Sequence, residues 1–205
     1  MKESIIKICS TLGVIAFLVL ILFVIPNSTS RSNEEEKYMT GKHHVLINVK
    51  DLGSITVELD ADTAPITVTN FLKLVNNKFY DGLTFHRIID GFMIQGGDPL
   101  GNGTGGSDEK ITGEFEANGI KNDISHVRGV ISMARGTDKN SASSQFFIVQ
   151  KDSTYLDGQY AGFGHVTNGI EVVDKVVNSV KGKVGSNGSV EKENQPIIES
   201  IVQID

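Results

Sequence analysis

Apolar and polar residues alternate at Val45, Ile47 and Val49 and again at Ile55, Val57 and Leu59, with Asp51-Leu52-Gly53 between the two runs. A period of two marks half-buried strands, and the short glycine-containing link makes them a hairpin. The period then changes. Val68, Phe71, Leu72 and Val75 recur at helical spacing behind Pro65, a residue suited to a first helical turn, which predicts a helix over about 64–76. Short strand-like runs follow near 84–89, 92–97, 129–133, 145–149 and 163–166, parted by Gly and Asn loops, a pattern that favours a barrel. Ile170, Val173, Val176, Val177 and Val180 form a second helical stripe. Their β-branching weakens it, because such side chains lose rotamer freedom in helices, and helix is favoured over strand. The run Ile197, Ile198, Ile201, Val202 and Ile204 predicts a terminal strand paired with the first hairpin, after an open polar loop over 181–195.

Ahead of all this lies a segment of different character. No charge occurs between Lys7 and Arg31, and Ile8 to Ile25 is almost wholly apolar. As a helix these residues span ~27 Å at ~1.5 Å each, close to the ~30 Å hydrocarbon core of a bilayer. Two readings stay open: a retained membrane anchor, favoured by the length of the run, and a cleaved secretory signal, which the positive start at Lys2 and Lys7 and the small residues Ser28-Thr29-Ser30 would fit. A lipoprotein is not expected, because Cys9 precedes the apolar run where an acylated cysteine should follow it. The charges flanking the run do not settle orientation. A leader at the extreme amino terminus favours an extracytoplasmic domain. The expected division is residues 1–26 as anchor or signal, 27–42 as a flexible polar linker rich in Ser, Asn, Glu and Lys, and 43–205 as one folded domain.

Composition narrows the function. A net charge of −6, with 19 basic and 25 acidic residues scattered along the 205, provides no basic stripe for nucleic acid. The single cysteine lies in the leader, so the domain has neither a disulfide nor a thiolate metal site. His43 and His44 are adjacent and point opposite ways in a strand, His126 and His165 have no paired carboxylate or cysteine nearby, and no His-Glu-x-x-His occurs, so metal binding is not expected. Gly101, Gly103 and Gly106 match G-x-G-x-x-G formally, yet no apolar helix follows, and Ser132, Ser143 and Ser144 lack a nucleophile elbow. Asn27, Asn102 and Asn187 each begin an Asn-Xaa-Ser/Thr triplet, which matters only in a glycosylating compartment.

The stretch Phe85-His86-Arg87-Ile88-Ile89-Asp90-Gly91-Phe92-Met93-Ile94-Gln95-Gly96-Gly97-Asp98 places a guanidinium, an amide and large apolar groups on two extended segments joined by a glycine turn. In regular strands Phe85 and Arg87 would share one face, and Met93 and Gln95 another. A second stretch, Gly129-Val130-Ile131-Ser132-Met133-Ala134-Arg135 and then Ser143-Ser144-Gln145-Phe146-Phe147-Ile148, adds small residues and an aromatic wall. Tyr155-Leu156-Asp157-Gly158 and Gly162-Phe163-Gly164-His165-Val166 follow in order. Together these motifs, from about His44 to Asp205, resemble the cyclophilins, the peptidyl-prolyl cis-trans isomerases.

That resemblance implies a mainly β fold, a closed eight-stranded antiparallel barrel capped by two α-helices, with a prolyl pocket on its outer face. It implies Arg87 as the donor to the prolyl nitrogen and Gln95 as the residue that orients it. The pocket would comprise Phe92, Met93, Phe147 and Leu156, with Tyr160 closing one side and Tyr155 also counted among the substrate-binding residues, while Gln145 and the backbone of Ala134 and Arg135 would hold flanking residues. Gly103 to Gly106 would border a neighbouring subsite. His86 is read as structural. No cofactor or metal is implied, and the partners would be unfolded or flexible proline-containing polypeptides, with the membrane reached through the N-terminal helix. Tyr155 stands where cyclosporin-binding relatives carry tryptophan, and Tyr160 where many have histidine, so drug sensitivity does not carry over. Arg135 replaces a usual asparagine. A non-catalytic proline-peptide binding module or holdase is the alternative, since binding needs the pocket but not the Arg87 donor.

Overall fold

The computed structural model describes residues 38–205. The apolar run over 8–25 and most of the polar linker lie outside the described residues. Eight strands form one antiparallel curled sheet: β1 (Lys42–Val49), β2 (Gly53–Asp60), β3 (Phe85–Ile89), β4 (Met93–Gly96), β5 (Val130–Met133), β6 (Phe146–Val149), β7 (Gly162–Asn168) and β8 (Ile198–Gln203). Their order is β3-β4-β6-β5-β7-β2-β1-β8. The first hairpin is as expected, with Ile47 opposite Ile55 and Asp51 at positive φ in the turn. β8 pairs with β1, so the last strand closes on the first. The two edge strands meet through a short contact just before each begins. There Thr84 bridges Ile197, the Phe85 N–H donates to the Pro196 carbonyl at 2.9 Å and the Ile198 N–H to the Leu83 carbonyl at 2.7 Å.

Two helices accompany the sheet. α1 (Pro65–Asn76) starts with Pro65 in its first turn and turns Val68, Phe71, Leu72 and Val75 inward. Its N-terminal residue Ala64 offers no side-chain cap. The orphan donors go instead to the buried Glu114, whose carboxylate accepts from the Ile66 and Thr67 N–H groups at 3.0 and 2.8 Å and from the Thr67 hydroxyl at 2.6 Å. α2 (Ile170–Ser179) realises the second stripe, burying Val172, Val173, Val176 and Val177. Its packing against the sheet outweighs the weak propensity of β-branched residues. The inner core gathers Phe71, Tyr80, Phe85, Phe146 and Phe163 with the aliphatic residues of β1 and β2. Phe71 meets Phe146 edge-on at 5.5 Å and Tyr80 meets Phe146 edge-on at 5.6 Å, an aromatic geometry that adds to area burial.

The segment over 181–195, expected as an open loop, folds back on the sheet. Val184 bridges Val190, Ser189 bridges Arg87, and the buried Val190 joins the core.

Candidate active site

Pairing between β3 and β4 decides where Arg87 points. Phe85 lies opposite Gly96 and Arg87 opposite Gln95, so His86 is an extra residue on one strand. Such a β-bulge breaks the alternation of faces. Phe85 therefore turns into the inner core while Arg87 joins Gln95 on the outer face, which corrects the expectation that Phe85 and Arg87 project together. Beyond the bulge the alternation resumes, with Ile88 and Ile94 inward and Ile89 and Met93 outward.

The Arg87 guanidinium is held from two sides. Its Nη1 donates to Gln95 Oε1 at 3.2 Å, and its Nε donates to the Asn187 carbonyl at 3.0 Å. Nη2 has no protein acceptor among the described residues. Gln95 in turn donates through Nε2 to Gln145 Oε1 at 2.9 Å, and the Gln145 amide donates to the Gly103 and Gly105 carbonyls at 3.1 and 2.7 Å. One chain of amides thus links the Arg87 fork to the glycine loop. Asp98 holds that loop from behind by accepting the N–H groups of Leu100, Asn102 and Gly103. Burial would raise the Asp98 pKa, but these donors bring it below the ordinary carboxylate range.

Beside Arg87, a second apolar cluster sits apart from the inner core. Met93, Val130, Phe147, Val149 and Leu156 form it, with Phe92, Ala134, Tyr160, Ile89 and Ile124 packed around. Its origin is the pleat of β4, β5 and β6, in which Ile94, Ile131, Phe146 and Ile148 face inward and Met93, Val130, Phe147 and Val149 face outward. All the apolar residues expected of a prolyl pocket except Tyr155 therefore meet in one place. Tyr155 stands at the rim, 71% exposed, with its ring 6.0 Å from that of Phe92. Phe147 and Tyr160 meet edge-on at 6.0 Å.

Under Phe147 lies an arrangement that sequence reading missed. His126 Nδ1 is 2.9 Å from Asp157 Oδ1, and His126 Nε2 is 3.0 Å from the Ser132 hydroxyl. His126 thus does have a carboxylate partner, 31 residues along the chain. The pattern looks like a hydrolase triad, yet Ser132 and His126 are both fully buried. No substrate carbonyl reaches that hydroxyl, and the group serves as a support for Phe147. Burial lowers the His126 pKa, with Asp157 opposing. His86 is also buried, with neither ring nitrogen hydrogen-bonded to a described residue, and burial lowers its pKa as well.

Arg135 lies away from Arg87. Its guanidinium stacks between Phe115 and Tyr160, 5.1 and 4.8 Å from the ring centroids, and donates to the Gln159 and Gly136 carbonyls. The Ala134 N–H is taken by the Gln145 carbonyl at 3.0 Å.

A family model described as cyclophilin type peptidyl-prolyl cis-trans isomerase/CLD matches residues 44–202. The chain belongs to the cyclophilins. This cyclophilin is 44% identical over 145 residues to peptidyl-prolyl cis-trans isomerase B of Bacillus subtilis, covering 71% of this chain and 92% of that protein. It is 36% identical over 208 residues to a probable peptidyl-prolyl cis-trans isomerase of Brucella suis, covering 96% of each. A crystal structure of a Cryptosporidium parvum cyclophilin type peptidyl-prolyl cis-trans isomerase, in the presence of the dipeptide Ala-Pro, superposes with a TM-score of 0.69 at 30% identity, covering 79% of this chain and 99% of that one. Within this cyclophilin, the contribution of Asn187 had no signal in the sequence, because its backbone carbonyl and not its side chain does the holding.

Proposed function

We propose that the domain accelerates cis-trans rotation of Xaa-Pro peptide bonds in exposed, flexible stretches of proteins, and so assists their folding. The single observation that carries this is the Arg87–Gln95 pair on one rung of the β3–β4 ladder, beside an outward apolar cluster separate from the core. Rotation about the imide must cross a barrier of ~18–20 kcal/mol, because the nitrogen lone pair is delocalised into the carbonyl. In the twisted state that lone pair is localised and basic. A donor aimed at it stabilises the transition state more than either planar form, which is what accelerates a reaction. Arg87 is suited to this, since a guanidinium stays charged at any physiological pH and Nη2 is not spent on any described residue. Gln95 and the Asn187 carbonyl aim the fork, the cluster of Phe92, Met93, Phe147 and Leu156 grips the ring, and no bond to the protein is made or broken.

Exchange spectroscopy on a short Xaa-Pro peptide tests the proposal. Arg87→Ala is expected to slow interconversion by about 10²–10³ while peptide binding persists. A protein that binds the peptide without accelerating exchange, in wild type and variant alike, is instead a binding module or holdase. Unchanged exchange in Arg87→Ala would remove Arg87 from the mechanism.

The leader motivates a second part of the proposal, that the domain is held at a membrane on its extracytoplasmic side. Protease added to intact cells should then remove the domain, and amino-terminal sequencing of the mature protein should find Met1 or Lys2. A mature chain that starts after Ser30 would mean a cleaved signal.

A further inference from the structure

A cavity of about 470 Å³ opens next to the apolar hollow, bordered by Gln95, Gly105, Lys110, Ala134, Arg135 and Gln145. Ala134 also packs against the Phe147 cluster, so the two hollows share a wall. The glycine loop borders the cavity, and its close packing leaves no room for side chains at two of its positions. A Cβ on Gly105 would strike the Asp98 carboxylate, and one on Gly106 the Ser143 hydroxyl.

Two cations border this space and no carboxylate does. Arg135 is clamped between Phe115 and Tyr160 and donates only to carbonyl oxygens, which hold its geometry without cancelling its charge. Lys110 forms no ion pair among the described residues. Of the acidic side chains on the surrounding loops, Asp108 is exposed and outside the border of the cavity, and three others are engaged elsewhere. Glu109 pairs with Lys73 at 2.6 Å, Asp98 sits behind the glycine loop, and Asp138 accepts the N–H of Asn140 in its own turn. A concave space bordered by two positive charges and no carboxylate focuses potential onto whatever side chain enters it.

We infer that this cavity takes an aspartate or glutamate side chain of the client, from a residue close to the proline in sequence. The site is then selective for acidic prolyl segments, with Lys110 and Arg135 as the specificity-determining residues. This rests on the proposal that prolyl peptides occupy the adjacent hollow.

The test uses peptides with a central Ala-Pro bond carrying one Glu or one Gln at each of the flanking positions in turn. Exchange rates provide kcat/KM and titration provides Kd. At one position the wild type should favour Glu over Gln by about threefold to tenfold, and about 0.5 M salt should shrink that ratio. Lys110→Glu should abolish or invert the Glu/Gln ratio. A Glu/Gln ratio near one at every position overturns the inference, as does a preference untouched by Lys110→Glu. Because Kd reads charge preference without catalysis, a protein that prefers Glu yet accelerates nothing would refute the isomerase reading alone.

Discussion

His126 stacks on Phe147, with ring centroids 6.0 Å apart and planes 19° apart, and both ring nitrogens of the histidine are tied to Asp157 and Ser132. The proposed pocket wall is therefore backed by a buried polar group that cannot slide without breaking two hydrogen bonds. His126→Ala would open a void and strand both partners, at a cost of about 2–4 kcal/mol of folding stability. Thermal unfolding should show the loss. Peptide exchange should show KM raised more than kcat is lowered, because Phe147 loses its backing while Arg87 does not. A variant with the wild-type KM would separate His126 from the pocket.

Stability should fall as the solution is acidified. Burial lowers the pKa of His86 and His126 below the ordinary 6.5, so the unfolded chain takes up protons first. Their contribution is complete above about pH 6.5 and is lost as pH falls from there toward the folded values. His44 has the opposite sign. Its hydrogen bond to Asp205 raises its pKa, so its contribution is present below 6.5 and fades as pH rises, but the pair is exposed and worth little. Denaturant titrations at pH 7.5 and 5.5 should find the lower pH less stable, and His44→Ala should steepen the difference. Equal midpoints would contradict this assignment of signs.

Gly188 lets the loop over 181–195 reach Arg87. It has φ of 83°, and a Cβ there would strike the Ile89 side chain and the Ile88 carbonyl. Gly188→Val should therefore withdraw the neighbouring Asn187 carbonyl from Arg87 Nε and leave the fork held by Gln95 alone. The expected result is a roughly tenfold drop in kcat, on the scale of one misaimed donor. Peptide Kd should change less than kcat, since Gly188 meets the apolar cluster only through the peripheral Ile89. A loss confined to Kd would argue against this aiming role.

The Glu114 carboxylate is spent on the start of α1 and should affect folding more than chemistry. Its carboxylate receives three donors from the first turn of α1 in a buried setting. Glu114→Ala leaves those donors unsatisfied and should cost about 2–4 kcal/mol. The midpoint of chemical denaturation should drop while kcat per folded molecule is retained.

Much of this architecture was legible in the chain. The hairpin, both helices, the closing strand and its pairing with the hairpin all follow from periodicity, because strand and helix steric preferences act between near neighbours. Met93 with Gln95, and Phe147 beside the core residues Phe146 and Ile148, are placed by the same alternation. The bulge at His86 was not legible, since nothing within Phe85-His86-Arg87 marks an extra residue until β4 supplies the partner register.

By itself the sequence determined which residues could face a core, where chain direction reverses, and that one guanidinium and one amide stand near a set of apolar side chains. Only the tertiary structure decided that Arg87 faces outward, that a carbonyl 100 residues later helps to hold it, that Asp157 reaches back to His126, and that Lys110 and Arg135 border one hollow. The reason is physical: local periodicity is carried by residues within a turn or a pleat of one another. Register, burial and the meeting of distant charges exist only once the sheet has curled and the loops have packed against it.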